Sequence, residues 1–370
     1  MQRINTITVL FAMLLLAACI KSYDPPIDSS AKNKYVITGC VTDREGWQVV
    51  EISQSSPIES PSYIPISGCR AHIQDNKGNG FPLRELEPGR YRVWMSQADL
   101  TPGTAYRVQV LTPDGETLES GYDTMPRGPG LDSVYYAIED IPTSTPGKED
   151  RVMQFYADLD AIGDYSRYYK WEVIETFEYH AAHPGEFFYD GTFNEIKPPD
   201  YTNNICYATV PAKNVFTIST KNLTQNIYKR YPLHSIDGNT PRLAYLYSIL
   251  VRQLALTGGA YNYWEQLRIN SNEQGGLYEK QPLAIKGNMK NTSNPDKDVL
   301  GYFYTASESS KRYFYKDIEG IVLDYNNGCS EDALGRMGWL EFSPAEYPVY
   351  FYYNLQGYLR ILTHECIDCR

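Results

Sequence analysis

Tyr35-Val36-Ile37-Thr38-Gly39-Cys40-Val41, followed after a short charged turn by Trp47-Gln48-Val49-Val50-Glu51-Ile52-Ser53, decides the fold class of this chain. Both runs are short, rich in β-branched and aromatic residues, and bounded by turn formers, which is how strands on a half-buried pleated surface read. The same unit recurs downstream at Cys69-Arg70-Ala71-His72-Ile73-Gln74, Gly89-Arg90-Tyr91-Arg92-Val93-Trp94, Tyr106-Arg107-Val108-Gln109-Val110 and Glu116-Thr117-Leu118-Glu119-Ser120. Between them, Asp75-Asn76-Lys77-Gly78-Asn79-Gly80 collects residues that tolerate positive φ and so marks a turn. Short strands punctuated about every ten residues predict a β-sandwich over residues 35–126.

Pro126-Arg127-Gly128-Pro129-Gly130 is the clearest internal punctuation, and a domain boundary is expected there. Beyond it, residues 131–370 read as a larger β-rich domain. Its strands are expected at Leu131–Tyr136, Met153–Leu159, Tyr168–Tyr179, Cys206–Thr209, Val215–Ser219, Arg242–Leu254, Pro282–Met289, Val299–Ala306 and Lys311–Tyr315. Residues 180–204 carry no such periodicity and are expected as a long loop, a kind of segment that is often functional. One helix is predicted near 258–272, where Tyr261, Trp264 and Leu267 recur every third residue before Gly275-Gly276 ends it.

Two stretches add a resemblance in fold. Ser67-Gly68-Cys69-Arg70-Ala71-His72-Ile73 with Leu86-Glu87-Pro88-Gly89-Arg90-Tyr91 resembles consecutive strands of transthyretin-like sandwiches, and Leu100-Thr101-Pro102-Gly103-Thr104-Ala105-Tyr106 resembles a fibronectin type III strand entry. The expected class is therefore mainly β: an N-terminal immunoglobulin-like or transthyretin-like sandwich, then a larger β-rich domain with one or two inserted helices.

The N-terminus sets the cellular address. Arg3 precedes the apolar run Val9–Leu16, which is long enough for a secretory core and too short to span a bilayer. Leu16-Ala17-Ala18-Cys19 resembles the lipobox of bacterial lipoproteins, so residues 1–18 are expected to be removed and Cys19 to carry the lipid. Ile20 follows it rather than aspartate, which in lipoproteins favours delivery to the outer membrane. Residues 19–34 are Pro-, Ser- and charge-rich, the composition of a flexible tether.

Composition narrows the partners. A net charge of −11 with 21% charged residues leaves no basic footprint for nucleic acid. The 33 tyrosines fit strands of an all-β fold and also supply amphipathic contact area. Apart from Cys19 there are six cysteines, an even number that reads as bridges in an oxidising compartment. Cys40 and Cys69 lie in predicted strands of one domain and are expected to pair. Cys366 and Cys369 end the chain without the strand-to-helix context of a redox motif, and a clasp to them from Cys206 or from Cys329 is expected.

No constellation predicts chemistry. His180 and His183, with Glu178 and Glu186 nearby, lack the arrangement of a zinc hydrolase, and Asp158, Asp160 and Asp164 lack the calcium loop's terminal glutamate. Gly-x-Ser-x-Gly is absent. No metal, cofactor or catalytic residue is expected. The aromatic surplus is the stronger lead: Phe187, Phe188, Tyr189 and Phe193 in the predicted loop, and Tyr350–Tyr353 near the end, are candidates for an exposed binding face.

Tyr261-Asn262-Tyr263-Trp264-Glu265 with Gly275-Gly276-Leu277-Tyr278, Pro282 with Ile285-Lys286-Gly287-Asn288-Met289, Leu300-Gly301-Tyr302-Phe303 and Cys366-Ile367-Asp368-Cys369 together resemble the DUF4249 family, a domain of unknown function found in Gram-negative surface or outer-membrane lipoproteins. The resemblance implies a lipid-anchored outer-membrane protein that serves as accessory to a TonB-dependent β-barrel transporter, and it implies no catalytic residue. The expected function is a non-catalytic binding or accessory subunit of such an uptake system. The alternatives are a stand-alone surface protein binding a glycan or peptide, and a hydrolase whose site is assembled only by the fold.

Overall fold

Side-chain alternation in strand Tyr35–Thr42 fixes the faces of the sheet around it. Ile37 and Val41 are fully buried in one apolar cluster, while Cys40 packs into a different one, because successive residues of a strand point to opposite sides. The computed structural model describes residues 34–56, 60–143, 145–272, 285–325, 328–335 and 338–370. The expected signal peptide, Cys19, the tether up to residue 33 and Gly275-Gly276 lie outside the described residues.

A ten-stranded sheet runs through the molecule. In spatial order its main path is Ile205–Pro211, Tyr168–His180, Tyr247–Ala255, Phe303–Tyr315, Tyr35–Thr42, Gly46–Gln54, Arg90–Met95 and Arg84–Glu87, with Phe216–Ser219 and Ile64–Pro65 as side branches. The pairs are antiparallel except Tyr35–Thr42 beside Phe303–Tyr315, where Gly39 lies opposite Phe303 in a parallel register. Gly301 makes that close approach possible. Its φ is 95°, and a Cβ there would stand 2.0 Å from the Ile37 carbonyl oxygen, so a side chain at 301 would both strain the backbone and push the two chains apart.

Two smaller sheets cover one face of this central sheet. Ile37, Val50, Ile52 and Tyr91 pack against Ile73, Val108, Val110 and Leu118 of a six-stranded sheet. Trp171, Val173, Ile249 and Val251 pack against Phe155, Ala157 and Leu159 of a three-stranded sheet built from Ser133–Pro142, Glu149–Asp160 and Ile227–Asp237. Strand Phe303–Tyr315 serves both cores from its odd positions: Phe303 joins the first, while Tyr313 and Tyr315 pack on the second.

The N-terminal sandwich is therefore not completed by residues 35–126. Met289, Val299 and Phe303 enter its core, and Met289–Asn291 adds an edge strand beside Thr117–Ser120. The expected strands at 299–306 and 311–315 also merge into one, Phe303–Tyr315.

The opposite face of the central sheet carries the helix predicted near 258–272. It spans Gly258–Asn272, the one α-helix among the described residues. Thr257 caps its start by accepting from the Ala260 N–H, and the Thr257 hydroxyl donates to Asp123 at 2.8 Å. Ala260, Tyr261 and Trp264 pack onto Leu254, Tyr304 and Ala306.

A five-stranded sheet ends the chain, in the order Phe193–Asp200, Gly185–Tyr189, Val349–Tyr353, Leu359–Leu362 and Glu331–Ala333. Its first two strands correct the expectation of a loop over 180–204. That stretch is mostly a β-hairpin, which turns at Gly191 with a φ of 110° and pairs with a strand more than 140 residues later that sequence periodicity does not reveal.

Candidate functional site

The positions of the central strands that look away from both cores, even-numbered on most of them but odd-numbered (Trp47, Val49, Glu51) on Gly46–Gln54, build a groove of about 550 Å³ beside the helix. Lys170 and Glu172, two residues apart on Tyr168–His180, share its floor with Arg252 and Glu308 from the next two strands. They form one chain of ion pairs. Lys170 Nζ lies 2.9 Å from Glu172, Arg252 donates to Glu172 at 2.6 Å and grips Glu308 through two bonds of 2.8 and 3.0 Å. Arg44 extends the chain by donating its Nε–H to the Glu308 carbonyl at 2.9 Å. The Lys170 ammonium also sits 3.4 Å from the ring centroid of Trp264, a cation–π contact on the helix side.

These charges cancel. Arg44, Arg90, Lys170 and Arg252 line the groove against Glu45, Glu51, Glu172 and Glu308, four cations and four anions. Burial works to raise the Glu172 carboxyl, but Lys170 and Arg252 outweigh it and hold the group below its ordinary range, so Glu172 is a carboxylate at neutral pH and no general acid. Cys40 also lines the groove. Burial, aided by Glu172, pushes its thiol up to about 12, which leaves it protonated and a poor nucleophile. Among the described residues that line the groove there is no serine, histidine or aspartate.

Trp47 lines the groove, and Trp94 stands beside it on the neighbouring strand, just outside the lining. Trp47 and Trp94 face each other across adjacent strands, edge to face at 5.4 Å, and are 51% and 53% exposed. The Arg92 guanidinium stands 4.0 Å over the Trp47 ring and fixes it. Deeper in, the Trp264 indole N–H is buried without a hydrogen-bond partner.

The four aromatic residues singled out from sequence fall elsewhere, on the C-terminal sheet. Phe187, Tyr189 and Phe193 are brought together with Trp339, Phe351 and Tyr353: Phe187 stacks on Phe193 at 5.5 Å, Tyr189 on Trp339 at 5.0 Å, and Phe351 is fully buried beneath them. Phe188, opposite Tyr350, takes the alternating position on the other face. The cluster is largely the core of its own small sheet, with Phe193 and Tyr353 left 39% and 51% exposed at its edge.

The tail is clasped twice. Cys206 bonds to Cys369 and Cys329 to Cys366, so where one clasp from Cys206 or Cys329 was expected, both reach the terminal pair. Cys40 and Cys69 correct the expectation that they pair: both are free. Cys40 points to the helix side of the central sheet, whereas Cys69 packs in the N-terminal sandwich core on the other side. Of the two histidines weighed as ligands, His183 lies 2.9 Å from Glu331 and stacks on Tyr352, while His180 lies 2.7 Å from Glu178 and stacks on Tyr245. His183, Glu331 and Cys329 do converge, but the Cys329 sulfur is spent in its disulfide and the trio offers a metal only two ligands.

The groove escaped sequence reading because its residues come from positions 38–51, 90, 170–172, 252, 263–264 and 302–308, joined only by strand order. One signal was present. Lys170 and Glu172 are charged residues that alternate with Tyr169, Trp171 and Val173 on one strand, and Arg252 interrupts an apolar run on the next.

Residues 20–312 match a family model described as "Domain of unknown function (DUF4249)". No curated protein matches the sequence.

Proposed function

The chain belongs to the DUF4249 family, and on that premise we propose that it is a lipid-anchored binding or accessory subunit of the outer membrane, serving a TonB-dependent β-barrel transporter and performing no chemistry itself. The groove carries the binding half of this reading: its ionic groups are tied to one another, its carboxylate Glu172 is held ionised, and its thiol is held protonated. Such a site holds a ligand in place without offering an activated nucleophile or a poised acid.

The lipobox-like Leu16-Ala17-Ala18-Cys19 supports anchoring, and each methylene of an acyl chain buried in the bilayer contributes about 0.8 kcal/mol, so that two or more chains hold stably. Two disulfides support an oxidising compartment. The partly exposed Phe193 and Tyr353 edge of the C-terminal sheet offers aromatic contact area for a companion protein.

Purification of the tagged, acylated chain from detergent-solubilised outer membranes tests the accessory role. The expected result is a stoichiometric, heat-modifiable β-barrel in the same peak. Recovery of the chain alone under mild detergent and low salt would remove the transporter from the account and leave the stand-alone binder.

A further inference from the structure

We infer that the groove on the helix-bearing face of the central sheet binds a neutral, hydroxyl-rich oligosaccharide laid against Trp47 and Trp94. This names the ligand class for the binding role proposed above and rests on that role, though not on the lipid anchor or the transporter.

Three observations select the class. First, the groove has equal numbers of cationic and anionic side chains, already paired along the line Lys170, Glu172, Arg252 and Glu308. An anionic ligand would meet Glu45, Glu51, Glu172 and Glu308 there, and a cationic one Arg44, Arg90, Lys170 and Arg252. A polyol is repelled by neither set. Guanidinium and carboxylate groups held rigidly in mutual pairs keep spare capacity: three of the Arg252 donors are engaged, out of the five that a guanidinium carries. Planar bidentate groups of this kind match vicinal hydroxyls.

Second, the groove floor is sheet face and not sheet edge. Strand Tyr35–Thr42 is paired on both sides, and so is Gly46–Gln54. An extended peptide gains much of its affinity by adding a strand to a free edge, and that route is closed here. Recognition is left to side chains.

Third, Trp47 and Trp94 are half exposed yet locked, by each other and by Arg92. A flat ring held still is a platform for the C–H face of a sugar and costs little ordering on binding. The volume of about 550 Å³ falls within the roughly 300–1,000 Å³ of small-ligand sites.

The test uses the whole chain with Cys19→Ser, so that it is soluble without acyl groups. Calorimetric titration is run with neutral hexasaccharides of the gluco, xylo and manno series, with an oligogalacturonate and with a mixed-charge hexapeptide. The expected result is binding of at least one neutral series, unchanged between low and high salt, and weakened about tenfold by Trp47→Ala and by Trp94→Ala. Both substitutions are at exposed positions, and an unchanged thermal melt shows that the fold is intact. Trp47→Phe retains most of the affinity. Failure of every neutral series, binding of the acidic saccharide or the peptide alone, or neutral binding untouched in the Trp47→Ala/Trp94→Ala double variant would overturn the inference. None of these results bears on membrane attachment, which the anchored protein reports separately.

Discussion

Glu172 and Glu175 lie on one strand and show how a carboxylate is kept charged while partly or wholly withdrawn from water. For both, burial acts to raise the pKa, and the neighbours reverse it: Lys170 and Arg252 around Glu172, and His234, Arg242 and the Tyr247 hydroxyl around Glu175. A carboxyl whose folded pKa is depressed contributes stability that is complete above its unfolded value, about 4.3 for glutamate, and is lost as pH falls through the folded value. Thermal melts should therefore hold level from pH 7 to about pH 5 and fall steeply below about pH 4. In Glu175→Gln the acid limb should be shallower than in the wild type. An acid limb as steep as the wild type's in both Glu175→Gln and Glu172→Gln would show that neither carboxylate is linked to folding. The alternating charges of Lys170, Glu172 and Arg252 are visible in the sequence; that they share one groove is not, since each lies on a strand whose neighbours are chosen by the fold.

The C-terminal sheet is the element least legible beforehand. Residues 180–204 carry no regular alternation in sequence, and the strand that stabilises their hairpin, Val349–Tyr353, is remote. The clasp was half legible. Six cysteines in a chain expected to be exported predict bridges to the tail, but Cys40 and Cys69 do not pair, because nearness in sequence says nothing about which sheet face each residue occupies. Cys206 sits on the edge strand of the central sheet, so the Cys206–Cys369 bond ties the terminal element to it, beside backbone bonds from His183 to Cys366 and from Cys369 to Asn203. Replacing both cysteines by serine should lower unfolding stability by about 2–4 kcal/mol in denaturant titration. Limited proteolysis should then cut within residues 330–370 first, leaving the central sheet intact. Equal protease resistance with and without the bridge would mean that backbone pairing alone holds the tail.

At the scale of the molecule, one sheet shared by both halves of the chain accounts for the core and the groove together. Its strand order brings residues 303–315 between 35–42 and 247–255, so a boundary read at Pro126–Gly130 marks a change of sheet rather than an end of contacts. The β class and the single described helix followed from periodicity; the return of residues 289–303 into the N-terminal core did not, because a parallel neighbour leaves no local turn to announce it. One face of the sheet is closed by two apolar cores and the other keeps its charges and tryptophans; the proposed lipid anchor would hold that surface in a fixed place.

That fixed place is the central claim, and sedimentation of a Cys19→Ser variant tests it most directly. With acylation intact the chain should pellet with outer membranes, and with serine at position 19 it should move to the soluble envelope fraction with its fold unchanged. Undiminished pelleting of the serine variant would contradict the account.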